Sequence, residues 1–322
     1  MTPLESMIPY PPPIVKEISG QNKNEPSPIF TYHPLHFFLR GCIIKEKREK
    51  KMNKQRVYLD PTDERVWLDC YTHADDVTRP AMLVIPGGGY CCVCHEREGE
   101  PIALAFFERG YNSFVLNYRV GPTDHYPSQL IDASRAIVYI RDNSSALSVD
   151  PARVYALGFS AGGHLAGSLA VLHHDPDVLA ALNIPRGHNR PDAAILCYPV
   201  VSALVSTHGS SFENLLGVAT LDIGAELLSS VSLEFNVDAE SAPLFIWHTA
   251  GDEMVPVDGS FALARTYVRK GLPVDFHLFP FGTHGVALGT EVTLADNPNW
   301  LQPLAAEWVD YAVRFLGEIE KR

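Results

Sequence analysis

The segment Gly158-Phe-Ser160-Ala-Gly162 places a serine between two glycines in GxSxG spacing, just after the apolar run Arg153–Gly158 and just before a small-residue helical stretch that begins at Ala161. A chain that turns from strand to helix this tightly lifts the serine hydroxyl clear of the sheet, and the flanking glycines keep side chains out of the turn. The chemistry implied is nucleophilic attack on an acyl carbon. A serine hydroxyl is a weak nucleophile at neutral pH, so a base must take its proton, and on such an elbow the acid and the histidine follow the serine along the chain. Asp252, just past the apolar run Leu244–His248, is the expected acid, with its neighbour Glu253 the rival. Asp258 stands near a helix start, where capping is the commoner role. For the base, His284 lies in Phe281-Gly-Thr-His-Gly285 beyond the alternating stretch Val274–Phe279, whereas His277 lies within that stretch. A catalytic histidine needs a loop at the carboxyl end of a strand, which selects His284. His164 is near Ser160 in sequence, but from four residues into the helix it points back over the preceding turn and suits packing or hydrogen bonding.

Acyl transfer also needs donors aimed at the tetrahedral oxyanion, each typically worth about 10²–10³ in rate. One expected donor is the Ala161 amide, at the positive end of the helix after Ser160. The others are the Gly88 and Gly89 amides in Pro86-Gly-Gly-Gly-Tyr90, after the apolar run Ala81–Ile85. Cys91, Cys92 and Cys94 follow, and Cys91 and Cys94 have CxxC spacing with His95 next. A structural zinc site wants four ligands, commonly as two separated pairs, and no second pair exists; these are expected to be reduced thiols beside a loop, and no metal or organic cofactor is called for.

The elements that must position these residues form an alternation. Candidate strands are Val66–Tyr71, Ala81–Ile85, Ser113–Tyr118, Arg153–Gly158, Ala193–Cys197, Leu244–His248 and Val274–Phe279. Helical patterns lie between them at Ile102–Arg109, Gln129–Asp142, Ala161–His173 and Ser260–Lys270, with a last one near Leu304–Glu318. Strand and helix alternating in this way imply a mostly parallel sheet with its site at the carboxyl ends of the strands. The stretch Val200–Ser241 interrupts the alternation before the strand that bears the acid, and is expected to be a lid-like insertion. Residues 1–55 differ in composition, with Pro9, Pro11, Pro12 and Pro13 and the charged run 45–51, and read as a disordered or loosely attached extension ahead of a catalytic domain at 56–322. Because Lys, Glu and Arg can be encoded by purines alone, the run before Met52 also resembles translated ribosome-binding sequence, with Met52 as the start.

At 322 residues and 46% hydrophobic, the chain can build one sizeable core without dividing. A formal charge of −12 argues against nucleic acid and an anionic membrane surface as partners and favours a neutral or weakly polar substrate. No apolar run approaches the roughly 18 residues of a membrane span, and no export signal is visible, so a cytoplasmic protein is expected. Composition leaves the oligomeric state open.

Taken together, Pro86-Gly-Gly-Gly-Tyr, Asn117-Tyr-Arg119, Val149-Asp-Pro151, Gly-Phe-Ser-Ala-Gly-Gly-His-Leu, Trp247-His-Thr-Ala-Gly-Asp and Gly282-Thr-His-Gly285 match, in order and spacing, a known family. From Leu83 to Leu288 the chain resembles α/β-hydrolases of the carboxylesterase and acetylesterase type, close to the bifunctional feruloyl and acetyl-xylan esterases. One departure is Pro86, where related esterases often carry the histidine of His-Gly-Gly-Gly. The resemblance implies an α/β-hydrolase fold, with helices flanking a mostly parallel central sheet, and a small-molecule or oligosaccharide ester as substrate, often an acetyl group on a plant-polysaccharide sugar. The rival readings are a peptidase or amidase, including an aryl formamidase, whose triad would be the same, and a binding module with a dead site. Against the last, every triad position holds a competent residue.

Overall fold

The computed structural model describes residues 51–205, 208–219 and 224–322. The segment 1–50, which holds most of the compositionally distinct stretch, lies outside the described residues. Among them, the strands β1 (Met52–Tyr58), β2 (Trp67–His73), β3 (Arg79–Ile85), β4 (Asn112–Asn117), β5 (Val149–Phe159), β6 (Ala194–Cys197), β7 (Leu244–Thr249) and β8 (Val274–Phe279) form one sheet. Their order is β1-β2-β4-β3-β5-β6-β7-β8. The β1–β2 and β2–β4 pairs are antiparallel, and every pair from β4 and β3 through to β8 is parallel. This is the mostly parallel sheet expected from the alternation.

The central strands are mostly apolar because both faces are covered. In β3, Ala81, Leu83 and Ile85 point to one face, against Leu130, Ala133 and Ile137 of α3 (Ser128–Asp142), Leu165 and Leu169 of α4 (Ala161–Val171) and Leu263 of α8 (Asp258–Lys270). Met82 and Val84 point to the other, against Ile102 and Phe106 of α2 (Glu100–Phe107) and Trp308, Val309 and Leu316 of α9 (Trp308–Ile319). The period of two along a strand thus divides one run of residues between two core layers.

Two features depart from expectation, at β1 and at Asp258. β1 begins at Met52, inside the stretch set apart as 1–55; it is an exposed edge strand of sequence MNKQRVY, without the apolar alternation that marks a half-buried one. Lys54 pairs with Glu100 at 2.6 Å, and Arg56 pairs with Asp69 at 2.8 Å while lying over the Trp67 ring. Asp258 opens α8, but its side chain caps nothing, and Val257 occupies the N-cap position. The interval between β6 and β7 holds α6 (Gly209–Leu216), α7 (Ala225–Val231) and a 3-10 turn at Leu233–Phe235, and is anchored to the main core by Phe212, Leu215, Val231 and Leu233. Two short helices also escape the periodicity: α1 (His95–Glu98) and α5 (Pro176–Leu182). No helix among the described residues is long and apolar enough to cross a membrane.

Candidate active site

Ser160 lies between β5 and α4 at φ 53°, ψ −119°, a backbone conformation that L-residues rarely adopt. Its own backbone holds it there: its amide donates to the Cys197 carbonyl at 3.0 Å, and its carbonyl accepts from His164 at 3.0 Å and Val200 at 3.1 Å. The glycines on either side are required by close approach. A Cβ on Gly158 would lie 2.0 Å from the Gly162 carbonyl oxygen, and one on Gly162 would lie 2.2 Å from that of Ile85.

The loops after β7 and β8 bring Asp252 and His284 to this elbow. His284 Nε2 is 2.9 Å from Ser160 Oγ, and its Nδ1 is 2.7 Å from Asp252 Oδ2. Because Nδ1 faces a carboxylate, it carries the proton, which leaves Nε2 free to accept the serine hydroxyl. Asp252 is buried, and its Oδ1 accepts the amides of Met254 at 3.0 Å and Val255 at 2.9 Å. Burial raises its pKa, but the hydrogen bonds from His248 and His284, the charge of His284 and the Val255 amide outweigh it and hold the carboxyl well below the usual carboxylate range. The rival Glu253 points out to solvent.

The other histidines fall elsewhere. His277 stacks on Tyr311 with ring centroids 4.9 Å apart, away from Ser160. His164 is buried; its Nε2 donates to the Val231 carbonyl at 2.7 Å, so Nδ1 must accept the Tyr90 hydroxyl, also at 2.7 Å. Burial pushes its pKa down to about 4.

The loop Gly87–Tyr90 is packed against the elbow, so closely that a Cβ on Gly87 would come within 3.0 Å of Ser160 Cβ. Gly88 and Gly89 have φ of 133° and 60°, and among the described residues their amides and that of Ala161 make no hydrogen bond. The loop's carbonyls are held instead. The Cys91 and Cys92 amides donate to Gly88 O at 3.0 and 3.2 Å, the Cys94 amide to Gly87 O at 3.0 Å, and Asn214 of α6 to Gly89 O at 2.8 Å. Cys91, Cys92 and Cys94 are free thiols in the turn that grips this loop.

Sequence reasoning missed several residues that fix these pieces. With proline at position 86, support comes from Tyr118, which donates to Pro86 O at 2.8 Å, and from Glu98, whose Oε2 accepts the Gly87 amide at 2.8 Å. Glu98 Oε1 accepts the Tyr198 hydroxyl at 2.7 Å, and the Tyr198 oxygen accepts the Ala287 amide at 3.0 Å, so one buried carboxylate ties the glycine loop to the histidine loop. Arg97, next to it in α1, donates to Gly285 O at 2.5 Å and lies over Trp300, whose indole donates to His284 O at 2.8 Å. His248 stands 3.2 Å from Asp252 Oδ2. From the interval between β6 and β7, His208 bonds Ser211 at 2.8 Å; burial lowers its pKa and repulsion from His284 adds to this. The adjacent residues Arg97 and Glu98 lie in the charged stretch Glu96-Arg-Glu98, and no local spacing signals their roles.

Comparison with known proteins gives the family and the fold. The BD-FAE family model matches residues 68–267, more than half of the chain. Endo-1,4-beta-xylanase B of Butyrivibrio fibrisolvens is 42% identical over 230 residues, covering 70% of this chain and 35% of that protein. The acetylxylan esterase of Xylanibacter ruminicola is 26% identical over 278 residues, covering 84% of this chain and 55% of that protein. The chain thus spans about a third and just over half the length of these two relatives. Among solved structures, the acetyl ester-xyloside bifunctional hydrolase from Caldicellulosiruptor lactoaceticus superimposes with a TM-score of 0.67 at 33% identity, covering 81% of this chain and 97% of that one. The elbow, the sheet and these matches together place the chain in the BD-FAE family, with the α/β-hydrolase fold.

Proposed function

We propose that the protein is a serine esterase that removes small acyl groups, acetyl foremost, from oligosaccharides by way of an acyl-enzyme. The observation that carries this reading is the run of hydrogen bonds on the elbow, 2.9 Å from Ser160 to His284 and 2.7 Å from His284 to Asp252. In the proposed cycle His284 Nε2 takes the serine proton as Oγ attacks the ester carbonyl, and the amides of Gly88, Gly89 and Ala161 receive the oxyanion. His284 then returns the proton to the departing alcohol oxygen, leaving the acyl group on Ser160. Water, deprotonated by the same imidazole, releases the acid. Asp252 orients His284 and stabilises its cationic form. The sugar and acetyl preference is supported by the relatives named for acetylxylan and acetyl ester-xyloside hydrolysis. The described parts of the interval 200–241 serve as a wall over the site, a role supported by the bond from Asn214 to the glycine loop and by the electrostatic effect of His284 on His208.

Acetate release from acetylated xylo- and manno-oligosaccharides, with p-nitrophenyl acetate as a generic ester and Ser160→Ala alongside, tests the proposal. Wild-type activity on the sugars that the variant lacks is expected. Cleavage of the generic ester alone would refute the sugar substrate, and full activity in Ser160→Ala would refute the mechanism.

A further inference from the structure

The direction of proton transfer fixes the side on which the alcohol must lie. The oxygen that leaves the tetrahedral intermediate takes its proton from His284 Nε2, so the alcohol portion of the ester occupies the histidine side of Ser160. Beside His284 lies a cavity of about 430 Å³, with His284 itself in its wall and Glu253, Met254, Asn297, Asn299 and Trp300 around it. That volume falls within the usual range of about 300–1,000 Å³ for small-ligand sites. We infer that this cavity is the alcohol subsite and that it takes a neutral polyhydroxylated alcohol, a sugar residue, read by Trp300, Asn297, Asn299 and Glu253. The inference rests on the esterase reading above and extends it from the reacting atoms to the group that leaves.

Its lining has the chemistry of a sugar site. A pyranose presents hydroxyls around its rim, which both donate and accept hydrogen bonds, and patches of C–H on its faces, so it is recognised by planar polar side chains at the rim and an apolar wall. Trp300 supplies a rigid wall, held at its edge by the 2.8 Å bond to His284 O and on its face by Arg97, 3.4 Å from the ring centroid. Met254 is 57% exposed and adds a flexible apolar contact beside it. The polar groups are uncommitted. Asn297 Oδ1 accepts the Asn299 amide at 3.1 Å, but among the described residues Asn297 Nδ2, the Asn299 side-chain amide and the Glu253 carboxylate make no hydrogen bond. Two amides and one carboxylate offer both donors and acceptors, as hydroxyls require. Glu253 also discriminates against an anionic alcohol, since a phosphate or uronate here would meet a carboxylate of the same sign.

Glu253→Gln and Asn299→Ala, singly and together, test the assignment, with an acetylated xylo-oligosaccharide, p-nitrophenyl acetate and p-nitrophenyl butyrate as substrates. Loss of hydrogen bonds to the sugar is expected to raise KM for the oligosaccharide about tenfold in the double variant. Activity on p-nitrophenyl acetate, whose alcohol has no hydroxyls to read, should stay within about twofold of wild type, and the acetate-to-butyrate ratio should not change. Equal losses on both kinds of alcohol would overturn the assignment, and a shifted acetate-to-butyrate ratio would place the acyl group here instead. If wild type cleaves p-nitrophenyl acetate but no acetylated sugar, the sugar preference fails while the mechanism survives. Preference for glyceryl over ethyl acetate then decides the subsite: its loss in the double variant upholds an alcohol site, and its persistence refutes one.

Discussion

Ser160 is held at positive φ by three backbone hydrogen bonds, and such a conformation typically costs about 1–3 kcal/mol, which the surrounding turn must sustain. Glycine accepts it without strain, whereas alanine does not. Ser160→Gly and Ser160→Ala should both be inactive on esters, with the glycine variant the more stable by about 1 kcal/mol in urea unfolding; equal stability would mean that the turn stores no strain at this residue. Asp252→Asn preserves the shape of the site but removes the charge that fixes the imidazole tautomer, so kcat should fall by about 10⁴-fold with little change in thermal stability. Since His248, His284 and the Val255 amide keep the Asp252 carboxyl well below the usual range, the acid limb of kcat/KM should follow uptake of a single proton, none of it by this carboxyl. A second proton in that limb would show that the carboxyl titrates as well.

At the scale of elements, the single turn of α1 does more than its four residues suggest. It sends Glu98 to the glycine loop and Arg97 to the histidine loop, and Tyr198, just past β6, links the two through Ala287. Two parts of the site that lie far apart in the sequence are thereby held in one frame. Glu98→Ala leaves the Gly87 amide and the Tyr198 hydroxyl without an acceptor, and each orphaned buried group typically costs about 1–3 kcal/mol. Its loss in kcat/KM and that of Tyr198→Phe should not add, with a coupling above about 0.5 kcal/mol in a double-mutant cycle; strict additivity would show that the two act separately. Asn214→Ala removes a bond from α6 to the glycine loop and should lower kcat more than it raises KM.

On the scale of the whole molecule, the sheet divides its apolar residues between two layers, and histidines are enclosed in the α3–α4 side of the fold. Burial pushes both His164 and His173 down to about 4, helped at His173 by the charges of His174 and Arg190. In the unfolded chain both protonate near about 6.5. Between those values the unfolded chain binds more protons than the folded one, so stability is full above about 6.5, falls as the pH drops toward 4, and levels off below it. The urea midpoint should therefore be lower at pH 5 than at pH 7. His164→Gln, although destabilised at both, should show a smaller difference between them, and an unchanged difference would mean that His164 is not a source of the effect.

The sequence alone determined what is local. GxSxG between strand and helix singled out Ser160 because the tight turn itself demands those glycines, and seven strands were marked by β-branched or apolar runs, continuous where both faces are buried and alternating in Val274–Phe279. Chain order then restricted the acid and base to a few later residues, with His284 preferred for its loop. The sequence preferred Asp252 but left its neighbour Glu253 as a rival; the fold buries the first carboxylate against two amides and two histidines and turns the second to solvent. Edge strand β1 was illegible because neither of its faces is buried, which removes the alternation that a reader of sequence relies on. Glu98, Tyr198, Arg97, Trp300 and His208 were illegible for a different reason: their roles are contacts between residues remote in sequence, and no spacing encodes a partner that only chain folding brings near.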